Sequence, residues 1–111
     1  MKGTEKQIAW VEDIKMAAFD TCKANIELNE KRYAEYEHPM YKVNADCYKI
    51  VNAILNKMME INADKDASWW IDHRGNISSD SIVKVANRFA GMITSGKTTT
   101  EQIAEKNGVR I

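Results

Sequence analysis

The chain has 111 residues, enough for one compact domain and too few for two. Sixteen basic side chains balance sixteen acidic ones, which excludes both a strongly basic nucleic-acid module and an acidic mimic of DNA. A hydrophobic share of 44% excludes a disordered chain, and one proline with five glycines is too little punctuation for a β-sandwich.

Thr4 followed by Gln7 is a capping-box pattern, and it opens a long helix over about residues 4–38. Ile8, Val11, Ile14, Ala18, Cys22 and Ile26 recur at three- and four-residue steps, the helical period. Trp10, Ala17 and Phe19 widen that stripe. From Leu28 onward the segment LNEKRYAEYEH is polar, and Pro39 ends it. An unbroken helix from Glu5 to Glu37 would be roughly 50 Å long, against a diameter of about 35 Å for a compact domain of this size. The helix therefore either bends near Leu28–Asn29 or projects. A projecting end would offer Tyr33 and Tyr36 to a partner or to a second copy, unless the tyrosines fold back onto a solvated helix.

Asn44 is the predicted cap of a second helix, over 44–62, with Cys47, Val51, Ile54, Met58 and Ile61 as its stripe. Tyr48, Leu55 and Met59 broaden it. The short link HPMYKV makes the two helices an antiparallel hairpin. After polar NADKDA, the segment SWWIDHRG predicts a helix of one or two turns closed by Gly75. Asp80 to Ile93 is the last clear helix, capped by Ser78 or Ser79, with Ile82, Val85, Phe89 and Met92 or Ile93 facing inward. A further short pattern spans Thr100 to Asn107. The predicted fold is an all-α bundle of four or five helices in one domain over 1–111, with 97–111 as a short C-terminal appendage. The fourth helix packs across the hairpin, and Ile14, Ile54 and Phe89 are core positions.

Cys22 and Cys47 lie in apolar stripes and are expected as buried thiols of a reduced, cytoplasmic protein. His38 and His73 are remote from each other and from both cysteines, so no metal and no cofactor is expected. No apolar run is long enough for a membrane, and MKGTEKQ does not open a secretory signal. The methionines, in a chain with two leucines, are expected as core filling rather than as a binding groove.

Two motifs invite a chemical reading. Residues 91–98, GMITSGKT, match the phosphate-loop pattern, but the residues before them have helical period where that loop needs a strand. TTTEQIAEKNGVRI resembles the first half of a helix-turn-helix, with Ala104, Gly108 and Val109 in the turn positions and Ile103 facing the core. The recognition helix would have to begin at Ile111, so either the sequence is truncated or the likeness is accidental. Trp69 and Trp70 point about 100° apart on a helix, so one is buried and the other is nearer the surface, beside His73 and Arg74. Asp72 and His73 have no nucleophile or third partner and are not a catalytic dyad. Residues 1–38 carry six basic and eight acidic side chains, a net −2, and residues 76–111 carry five and three, a net +2.

TEKQIAWVEDI and WWIDHR resemble stretches of short accessory proteins carried by phages and mobile elements of Gram-positive bacteria. The resemblance covers about a quarter of the chain. It implies an accessory protein that interferes with host defence, of the anti-CRISPR type, and it transfers no catalytic residue. The expected function is non-enzymatic binding of another protein, such as a host defence complex, with a second copy of the chain as a further partner. Tyr33, Tyr36, Trp69, Trp70, His73 and Arg74 are the candidate contact residues. The alternative is a nucleic-acid-binding regulator that uses residues 98–111.

Overall fold

A computed structural model describes every residue from Met1 to Ile111, and it is all-helical. Thr4 caps α1 (Glu5–Tyr36): its hydroxyl accepts from the Gln7 amide at 3.1 Å, and the Gln7 side chain accepts from the Thr4 amide at 3.0 Å. At 1.5 Å per residue a helix of 32 residues is about 48 Å long, equal to the molecule's longest dimension of 48 Å. Of the two alternatives, then, the bend does not occur. The helix runs unbroken through Leu28 and Asn29 and spans the whole molecule. Asn29 is buried although the segment around it is polar; its amide donates to the Asn25 carbonyl at 2.7 Å, so the helix itself satisfies it.

The second helix, α2, spans Pro39–Ile61 and starts five residues before the expected Asn44. Pro39 both ends one helix and opens the next: a proline at the first helical position loses no hydrogen bond and is already set to helical φ. The His38 ring caps it, with Nδ1 accepting from the Met40 amide at 3.1 Å. HPMYKV is accordingly not a link but a helix start, and the hairpin turns on Glu37 and His38 alone. Glu37 makes this turn in the left-handed region, at φ 56°, where a Cβ is strained. Glu37→Gly is expected to raise unfolding stability by about 1 kcal/mol in urea titration; a loss would show that the Glu37 side chain itself holds the turn.

The rest of the chain wraps this hairpin. Helix α3 (Ala67–Asp72) and a 3₁₀ turn (Arg74–Ile77) lie against α1, α4 (Ser79–Thr94) packs chiefly on α2 while touching α1, and α5 (Thr100–Lys106) packs on α2. Gly75 does not close α3. It sits inside the 3₁₀ turn, which carries the chain on to bury Ile77. Ser78 is the α4 cap, and Thr99 with Gln102 forms a second capping box. Gly96 and Gly108, both at positive φ, close α4 and α5 in the same way. The Gly96 amide bonds to the Ile93 carbonyl and the Lys97 amide to Met92; Gly108 bonds to Glu105 and Val109 to Ala104.

One core joins all these elements, from Val11 and Cys22 through Ile50 and Trp70 to Ile82, Phe89 and Ile103. Ile103 and Ala104 anchor residues 97–111 to it. Several expected core positions lie elsewhere. Trp10 and Ala17 are exposed and Ile61 is 66% exposed, whereas Ile14 and Ile54 are half-buried and pack against this core as expected. On α2, which packs against both α1 and α4, the buried arc instead includes Ile50. On α4, Ala86 is buried where Val85 is only half-buried. No helix is long and apolar enough to cross a membrane.

Candidate functional site

The candidate contact residues fall into two groups at opposite ends of α1, about 35–40 Å apart by helical rise. At the hairpin end every residue from Glu30 to Met40 is exposed, so nothing else in the chain covers it. Tyr33 and Tyr36 both stand here, Tyr36 62% exposed and its ring 6.1 Å from that of Tyr41 on α2. Met40 adds an exposed thioether. Just behind the tip, Lys49 on α2 reaches Glu30 on α1 at 3.7 Å and ties the two helices together below the tyrosines, while Lys42 reaches Asp46 at 3.3 Å within α2. Such exposed pairs stabilise little, but they fix register where hydrophobic packing is thin. Tyr33, Tyr36 and Met40 stand here among exposed Lys31, Arg32, Glu35 and Glu37, an arrangement of large anchors within a charged rim that matches the make-up of a protein interface.

The second group surrounds α3. Trp70 is 2% exposed and packs into the core, with the Lys15 ammonium 4.3 Å above its ring. Trp69 is half-buried, edge-on to Trp70 at 5.1 Å and stacked on His73 at 4.2 Å. The Trp69 carbonyl only accepts, so His73 Nδ1, 2.7 Å away, must carry the proton and donate to it. Arg74 donates to the Ile71 carbonyl and lays its guanidinium 5.3 Å from the ring of Trp10. Trp10, expected as core, is thus exposed and paired with the Arg74 guanidinium, His73 is stacked on Trp69, and Trp70 is structural. Asp72 is exposed and makes no ion pair.

The groups with displaced titration lie inside the bundle rather than along a cleft. Burial pushes the Cys22 thiol up to about 11; burial, reinforced by the Asp46 carboxylate, does the same to Cys47. Burial also raises Tyr48, and the neighbouring cysteines add to it. Both thiols are free, and no group of three His, Cys, Asp or Glu side chains is placed to hold a metal ion.

The phosphate-loop match adopts another structure. Residues 91–94 are the last turn of α4, and the Gly96 and Lys97 amides, which would have to face a phosphate, are engaged in closing that helix. Comparison with protein-family models, curated proteins and solved structures finds no match to this chain.

Proposed function

We propose that this chain is a non-enzymatic accessory protein, of the kind phages and mobile elements carry, and that it works by binding another protein through the tip of the α1–α2 hairpin. The observation that carries this reading is the uncovered stretch from Glu30 to Met40, where the two longest helices meet and Tyr33, Tyr36 and Met40 face solvent. Tyrosine gives a large contact area with few rotatable bonds, so presenting it on a helix end costs little ordering on binding. The resemblance of TEKQIAWVEDI and WWIDHR to accessory proteins adds the biological setting, in which the partner is a component of a host defence complex. The non-enzymatic part draws on the same geometry: the shifted thiols are enclosed in apolar packing, and the imidazole of His73 is stacked and bonded to a carbonyl.

The test is a pull-down from a Gram-positive host lysate beside light scattering of the purified chain. The expected result is a retained protein that the double variant Tyr33→Glu, Tyr36→Glu no longer captures while its thermal midpoint is unchanged. A chain that is a strict monomer and retains nothing refutes the reading. Assembly into a dimer that the same double variant disrupts would reassign the tip to a second copy. The nucleic-acid reading has less support, because sixteen acidic side chains balance the sixteen basic ones and leave no overall excess of cations for a phosphate backbone.

A further inference from the structure

Between α4 and α5 lies a cleft of about 530 Å³, the largest in the molecule. Its floor is apolar, made by buried Phe89 and Ile103 with half-buried Met92. Exposed Arg88, Lys97 and Lys106 line its walls, and no aspartate or glutamate does. None of these three cations makes an ion pair; the molecule's three ion pairs all lie behind the hairpin tip, among Glu30, Lys42, Asp46 and Lys49. The Arg88 guanidinium carbon is 5.8 Å from the Phe89 ring. Three like charges around one apolar cleft repel one another, and a low-dielectric wall focuses their field into it. The complementary ligand is a compact multiply charged anion that also carries a flat apolar group.

We propose that this cleft binds a nucleotide, with the phosphate held by Lys97, Arg88 and Lys106 and the base laid on the Phe89–Met92–Ile103 floor. The size suits one nucleotide, since small-ligand pockets run to about 300–1,000 Å³. An extended acidic peptide fits less well, because successive carboxylates are spread along a strand at roughly 3.3 Å per residue while the cations here are gathered on one pocket. Because the amides of Gly96 and Lys97 are spent on closing α4, the phosphate is gripped by side chains and not by a backbone cradle. This site lies away from the hairpin tip and does not depend on the protein-binding reading.

Calorimetric titration of the whole chain tests it, with adenosine monophosphate, adenosine, a 5′-phosphorylated single-stranded tetranucleotide and a hexaglutamate peptide as probes. The monophosphate is expected to bind at low salt, and adenosine about tenfold or more weaker, since it lacks the charge-assisted contacts. Lys97→Glu and Lys106→Glu are each expected to weaken the monophosphate by about tenfold or more, and Lys23→Glu, exposed on α1, to leave it unchanged. All three sites are exposed, and circular dichroism melts verify that the variants remain folded. Tighter, more salt-dependent binding of the tetranucleotide identifies the nucleotide as a unit of a strand, and preference for the monophosphate identifies a free one; either upholds the site. It is overturned if neither phosphate ligand binds, if the peptide binds more tightly than both, or if Lys97→Glu binds as the parent does.

Discussion

Replacing Trp70 with alanine is expected to cost about 3–5 kcal/mol, a large part of the roughly 5–15 kcal/mol that stabilises a domain of this kind. Trp70 is 2% exposed and is the largest fully buried side chain. It carries α3 onto α1, with Trp69 edge-on to one side and Lys15 over its ring. Truncation leaves a cavity walled by helices that are fixed elsewhere, so it cannot close by relaxation. Trp69→Ala should cost clearly less, because its ring is half-buried and rests on exposed His73. Urea denaturation of the two variants is the measurement. A loss below about 1 kcal/mol for Trp70→Ala would mean that α3 is not part of the cooperative unit.

Alkaline conditions are the second large lever. Cys22 and Cys47 titrate at 9.0 when solvated and at about 11 when folded, because the thiolates would have to form in an apolar interior. Below pH 9 both states keep their protons and the stability is fully present. Between pH 9 and 11 the unfolded chain releases the protons that the native state retains, so stability falls as pH rises. Each thiol accounts for about 3 kcal/mol across that window, and Tyr48 acts in the same direction. Unfolding midpoints in urea at pH 7, 9 and 10.5 should decline steeply over the last interval. In a Cys22→Ala, Cys47→Ala variant, less stable at neutral pH, the decline should be much shallower. An equally steep decline in that variant would assign the effect to the lysines or tyrosines.

The parts of this fold that are legible in its sequence are those decided locally. Thr4 with Gln7, and the α4 cap narrowed to Ser78 or Ser79, follow from side chains that satisfy amides within three residues, and the start of α5 at Thr100 follows from its helical pattern. The start of α2 is not local in that sense: the same proline fits a helix end followed by a linker or by an immediate new helix, and the His38 ring together with the left-handed Glu37 decides it. Periodicity finds a stripe but not its width. On α2, a helix with two large neighbours, it favours Ile61, which is exposed at the last turn, over Ile50, which is fully buried. Asn29 is buried against every compositional expectation because its partner is a carbonyl of its own helix. Tyr33 and Tyr36 stand out in sequence as aromatics among charges, and the structure leaves them uncovered. Trp10 escapes such a reading, since only the fold brings Arg74 over it, and the α4–α5 cleft escapes it because the turn after Thr94 gathers its cations.

The tight joint at Glu37–His38 also sets an order of events during synthesis. Once Ile61 has left the ribosome, the two long helices can zip outward from the joint, since their nearest contacts close almost no loop. The opening turns of α1 have no such early mate. The apolar surface around Val11 stays bare until the segment from Ala67 to Ile77 has been translated, some sixty residues later, so a nascent chain halted before that point is an attractive client for a chaperone.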